Sequence, residues 1–149
     1  MIIFLLLILH FYFPIVAYGS IDISPDFLLL IIIINSFYLN DSKILLSGFV
    51  IGLLKDLLTQ SDYLGLLTFL SILFAYGLIK LKVYQNKNMK YIFILFLMFI
   101  YFFVNYFLKY SESYLFYCKF ALIQSLITSF VLIFCHFIFK DRLNKNAKS

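Results

Sequence analysis

Residues Gly48–Leu66 read GFVIGLLKDLLTQSDYLGL. Lys55 and Asp56 stand side by side in an apolar run, with Gly48 and Gly52 before them and Gly65 after. On a helical wheel with Gly48 at zero, Gly52 lies at about 40°, Lys55 at about −20°, Asp56 at about 80° and Thr59 at about 20°. The small and polar positions therefore share one sector of about 100°. Phe49, Val50, Leu53, Leu54, Leu57 and Leu58 fill the other faces. Glycines four apart let two membrane helices bring their backbones together. The pattern predicts a helix that packs through Gly48 and Gly52 and carries Lys55 and Asp56 on its buried side. Chain neighbours on a helix diverge by about 100°. The two charges are thus poor partners for each other, and each is expected to bond to another helix or to interfacial water.

The surrounding sequence sets the solvent. Of 149 residues, 64% are hydrophobic and 13% charged, and the mean hydropathy is +1.03. Soluble domains carry about a quarter charged residues, and a domain this small cannot hide so much apolar surface. The chain reads as an all-α integral membrane protein. Its net charge of +5 is scattered and forms no basic stripe, so nucleic acid is not an expected partner. Cys118 and Cys135 fall on one predicted helix, roughly 25 Å apart along its axis, beyond the reach of a disulfide. No Cys/His cluster stands at metal-ligand spacing, so neither a metal nor a cofactor is expected.

Six apolar segments are marked at about 1–18, 25–39, 43–59, 64–80, 91–109 and 115–139. Each is read as a transmembrane helix of a single domain, with 140–149 as a basic cytoplasmic tail. A spanning helix needs about 20 apolar residues, so the second segment has to tilt, or the bilayer has to thin around it. Its start is well marked: Ser24 can cap, Pro25 suits the first helical position and Asp26 complements the helix dipole. Six spans with a cytoplasmic N-terminus put Lys43, Lys80, Lys82, Lys87, Lys90, Lys140, Arg142, Lys145 and Lys148 inside. Lys109 and Lys119 fall outside, beside Asp22, Asp26, Asp62 and Glu112. This bias predicts that both termini lie in the cytoplasm. Ala17 and Gly19 also offer a signal-peptidase site, whose use would leave five spans. The opening MIIFLLL lacks the basic residues of a leader, so six spans are the reading adopted.

Helix two runs inward from Asp26 and helix three runs outward to Asp56, which puts both carboxylates near the outer leaflet. Carboxylates in a membrane share a proton or recruit a base, and Lys55 is the base at hand. The trio reads as a polar clamp fixing helices two and three, with a proton relay or catalytic pair and a contact with an outside partner as the alternatives. Helix four gathers Gly65, Thr68, Ser71 and Ala75 on one side. Helix six aligns Cys118, Ala121, Gln124, Ser125, Thr128, Ser129, Cys135 and His136 in a small-and-polar seam. That seam reads as helix packing, or as the wall of a ligand cavity at Gln124, Ser125 and Thr128. His10, His136, Asn35, Ser36 and Asn105 read as packing residues. No Ser-His-Asp order, phosphate loop or zinc signature is present, so no catalytic residue is assigned and no enzyme is expected.

Three stretches resemble the rod shape-determining membrane protein MreD family of bacteria: SPDFLLLIII at 24–33, GFVIGLLKDLL at 48–58 and YLGLLTFLSILFAYGL at 63–78. The resemblance marks Pro25, Asp26, Gly48, Gly52, Asp56 and Gly65 as family positions. Lys55 departs from it, since an apolar residue more usually precedes that Asp. The resemblance implies a non-catalytic inner-membrane scaffold of the elongation machinery. It would control peptidoglycan synthesis through its partners: a periplasmic MreC-like protein, a cytoplasmic MreB-like filament, and RodA with its partner transpeptidase. Exposed small-residue faces would dock partner helices, the basic loop at 80–90 would meet anionic lipid or filament, and a homodimer is left open. The six-helix arrangement it implies is similar to the substrate-binding subunits of energy-coupling-factor transporters. A vitamin-binding transporter subunit is therefore the rival reading.

Overall fold

The computed structural model describes residues 2–14, 17–18, 21–59, 65–84, 86–110 and 113–146. Among them are six helices: α1 Ile2–Tyr12, α2 Phe27–Tyr38, α3 Asp41–Thr59, α4 Leu66–Leu81, α5 Lys87–Lys109 and α6 Tyr114–Asn146. A short antiparallel hairpin, β1 Ala17–Tyr18 and β2 Ile21–Asp22, pairs Ala17 with Asp22 and Tyr18 with Ile21.

The segment read as one helix over 1–18 is thus divided. Its helix ends at Tyr12, with a last bond from the Phe13 N–H to the Leu9 carbonyl at 2.8 Å. Pro14 accounts for the stop, because it lacks an N–H and pushes the residue before it out of helical geometry. At the other end the helix is longer than the apolar segment marked in the sequence. α6 runs on through 140–146, where the sequence reading placed a tail. Asp62, Glu112 and Lys148, and the side chains of Asp22, Lys87, His136, Lys140, Arg142 and Lys145, lie outside what is described.

The helices alternate in direction. The starts of α2, α4 and α6 meet the ends of α3 and α5 at one end of the bundle, through Asp26–Lys55, Asp56–Thr68 and Gln124–Tyr106 contacts. Phe13, just past α1, stacks edge-on against Phe27 at the same end. At the opposite end Lys82 Nζ donates to the Leu39 carbonyl at 2.8 Å and pairs with Asp41 at 2.8 Å. It thereby satisfies an orphan carbonyl at the end of α2 and ties α4 to the start of α3.

α2 is the core. Every residue from Phe27 to Ile33 is buried, which explains a helix apolar on all sides. Its 12 residues extend about 18 Å, well short of the bilayer core of about 30 Å. The outer helices reverse this pattern. Leu46, Leu57, Phe69, Ile92, Phe96, Phe130 and Phe137 are exposed, an apolar surface suited to lipid rather than water. Met89–Lys109 and Tyr114–Cys135 are long and apolar enough to cross a membrane, whereas Ile3–Tyr12, Phe27–Tyr38 and Leu66–Leu81 are shorter. Among the described residues, these two of the six expected spans are long and apolar enough to cross.

α3 and α4 form the closest pair, and the glycine stripe is the reason. A Cβ on Gly52 would lie 2.5 Å from Thr68 Cα, and one on Gly48 would lie 2.8 Å from Ala75 Cβ. Thr68, Ser71 and Ala75 are the helix-four face anticipated from sequence. Gly52→Ala is expected to destabilise the bundle by about 1–3 kcal/mol, because the obstacle is backbone. Ser71 is fully buried in the same seam, and its hydroxyl has no hydrogen-bond partner among the described residues. Ser71→Ala is therefore expected to stabilise by about 1 kcal/mol. Unfolding titrations in detergent check both variants, which should shift in opposite directions.

Candidate functional site

Asp26 organises the end of the bundle where α2 begins. One carboxylate oxygen accepts from the Leu29 N–H at 2.9 Å, capping α2. The other accepts from Lys55 Nζ of α3. Lys55 lies one turn before the end of α3, level with the start of α2. Its ammonium also donates to the Tyr101 hydroxyl of α5 at 3.0 Å and lies 4.9 Å from that ring's centroid. The Asp26 N–H approaches Thr128 Oγ1 of α6 at 3.4 Å. One buried ion pair thus joins α2 and α3, and its other contacts reach α5 and α6.

Asp56 serves a different helix. Gly65 stands at the N-cap of α4 with φ of 90° and no side chain to cap it. Asp56 supplies the missing acceptor from α3, receiving the Leu67 N–H at 3.1 Å, the Thr68 N–H at 2.9 Å and the Thr68 hydroxyl at 2.5 Å. A carboxylate satisfies the unpaired N–H groups of a helix start and complements its dipole. Gly65→Ala is expected to cost about 1–2 kcal/mol through left-handed backbone strain alone, since nothing lies within 4 Å of the added Cβ. A detergent unfolding titration checks this, with Asp56 capping left intact.

On α6, Gln124 accepts from the Tyr106 hydroxyl at 2.7 Å and donates to the Ser24 carbonyl at 3.0 Å. It fixes the chain entering α2 against α5 and α6. Thr128 bonds back to the Gln124 carbonyl at 2.8 Å, and Ser125, fully buried, bonds back to the Leu122 carbonyl at 2.9 Å. Ser125 is a packing residue, while Gln124 and Thr128 reach across to the α2 start.

Because α2 begins low in the bundle, space is left above its N-terminus. A cavity of about 420 Å³ opens there, with Ser24, Asp26, Lys55, Tyr101, Asn105 and Gln124 among its polar lining. Phe13, Phe27, Leu28, Leu58 and Leu67 supply apolar wall, and Lys109 also lines it. Gln124 borders this space, whereas Ser125 and Thr128 do not. Among the described residues no group of three His, Cys, Asp or Glu side chains could hold a metal ion.

The sequence reading placed Asp26, Lys55 and Asp56 together near one end, and the structure does so. It separates them into two devices, the Asp26–Lys55 pair and the Asp56 cap of α4. Pro25 lies at the α2 entry and lines the cavity. The face of Gly48 and Gly52, expected to pack against another helix or to meet a partner, lies against α4 of the same chain. Tyr101 and Tyr106 were missed. The signal for Tyr101 was a polar ladder with Asn105 and Lys109 at intervals of four in an otherwise apolar helix, hidden by an aromatic content of 21%, and Tyr106 stands outside that ladder.

Residues 1–142 match a family model described as rod shape-determining protein MreD. No curated protein and no solved structure matches the chain. The family match extends well beyond the three stretches that carried the resemblance. The chain belongs to the MreD family of rod shape-determining membrane proteins.

Proposed function

We propose that the protein is a non-catalytic scaffold of the bacterial elongation machinery, set in the cytoplasmic membrane with six spans and both termini inside. The observation that carries this reading is the family match over 1–142. The polar chemistry is consistent with it, since Lys55, Asp26 and Asp56 hold helices to one another. The cation bias supports the orientation, which puts the Asp26–Lys55 end at the periplasmic face. Partners would include an MreC-like protein on that side, an MreB-like filament beneath the membrane, and RodA with its transpeptidase. With the glycine seam filled by α4, partner helices would dock on the exposed apolar faces of α5 and α6, such as Phe96, Phe130 and Phe137.

The test is co-purification of the tagged chain from host membranes in mild detergent. The MreC-like protein should be retained with the wild type. Its absence, under conditions where the tagged chain stays folded and monodisperse, would contradict the scaffold reading. The cavity favours a second reading, an arrangement like the substrate-binding subunit of a vitamin transporter. That reading expects a growth defect in cells lacking the protein that one added vitamin cures, with cell shape unchanged.

A further inference from the structure

The cavity above α2 has an unequal supply of hydrogen-bonding groups. Its one described carboxylate, Asp26, already accepts at both oxygens. Its donors are less fully used. Lys55 spends two of its three ammonium protons, on Asp26 and on Tyr101. Tyr101 is an acceptor in that bond, so its own hydroxyl proton is unspent among the described residues. Gln124 donates one of its two amide protons to Ser24, and no hydrogen bond from the Asn105 side chain is seen among the described residues. Lys109, whose ammonium lies 5.4 Å from the centroid of the Tyr110 ring, adds a cation without an ion-pair partner among the described residues. The positive end of the α2 dipole faces the same space.

We propose that this cavity is a binding site for an anionic oxygen-rich head group, a phosphate or phosphate ester, held by Lys55, Tyr101, Asn105, Lys109 and Gln124. A donor-rich, acceptor-poor pocket is completed by a ligand that brings acceptors, and burial strengthens each such bond. The volume is at the lower end of that of small-molecule pockets. It suits a head group rather than acyl chains, and Phe13, Phe27 and Leu58 give the ligand's carbon skeleton an apolar wall. The source is either an anionic phospholipid or a soluble phosphate ester. The proposal stands independently of the scaffold reading, since it rests on the cavity's donors alone.

The full chain is purified in neutral detergent and offered phosphatidylglycerol, phosphatidylcholine and glycerol 3-phosphate in turn, with retention read by native mass spectrometry. The wild type should retain phosphatidylglycerol or glycerol 3-phosphate in preference to phosphatidylcholine. Asn105→Leu combined with Lys109→Ala should weaken that retention roughly tenfold or more, whereas Lys43→Ala, at the other end of the bundle, should not. Both replaced groups lie outside the fully buried core, so the fold is expected to survive, and a monodisperse elution profile verifies it. Phosphatidylglycerol retained against excess glycerol 3-phosphate identifies a lipid as the source, and displacement by it identifies a soluble ester. Equal retention of both lipids without glycerol phosphate binding, no retention at all, or retention unaffected by the double variant would overturn the proposal.

Discussion

Lys55→Ala is expected to destabilise the bundle by about 3–5 kcal/mol, the cost of leaving a buried charge without its partner. The reason is local. Asp26 sits at the start of the core helix, and Lys55, itself buried, is the cation that neutralises it. Removing the ammonium also removes a hydrogen bond to Tyr101 and the cation over its ring. The loss would not stay on α3, because Asp26 also meets Thr128 of α6. Replacing both charges separates the pair from its surroundings. Lys55→Met with Asp26→Asn keeps a capping oxygen for the Leu29 N–H and leaves no unpaired charge. A double-mutant cycle in detergent should give a coupling of about 1–3 kcal/mol. A Lys55→Ala protein as stable as wild type would show that the ion pair does not hold α2 in place.

The second large effect is at Asp56. Asp56→Ala is expected to cost about 3–5 kcal/mol, because a buried carboxylate with three hydrogen bonds disappears at once. The N–H groups of Leu67 and Thr68 would then be left at a buried helix start that Gly65 cannot cap. Asp56→Asn retains one acceptor oxygen and should recover roughly half of the loss. Membrane insertion should be largely intact, since the group lies at a helix end rather than at mid-depth. Function should suffer with α4. A strain lacking the protein whose shape Asp56→Ala restores fully would exclude a functional role for this cap.

How far these devices were legible varies by residue. The seam of Gly48 and Gly52 was readable because spacing on a helix fixes which side chains share a face. The divergence of Lys55 and Asp56 followed from the same geometry, and the structure gives them different partners. The start of α2 was readable to within two residues: the sequence pointed to Ser24 as the cap and Pro25 as the first helical residue, whereas Asp26 caps a helix that begins at Phe27. Which carboxylate would take the lysine was not readable, because that depends on how far α2 is inset from the ends of α3 and α5. The cavity has the same origin. A short central helix is visible in sequence only as a short apolar segment, and the space it leaves depends on what rises around it. Tyr101 was obscured for another reason: in a chain with 12 tyrosines, a tyrosine that binds a charge looks like one that faces lipid, and its ladder with Asn105 and Lys109 is easily overlooked. Pro14, by contrast, was a visible stop signal that the apolar run around it outweighed.

The most direct test of the account is depletion of the protein in its host, with cell width and length followed by microscopy. The family role in rod shape determination and the proposed scaffold both lead to the same outcome. Cells should swell and round as the protein is lost, and re-expression of the wild type should restore rods. Cells that stay rods of unchanged width through complete depletion would contradict the account.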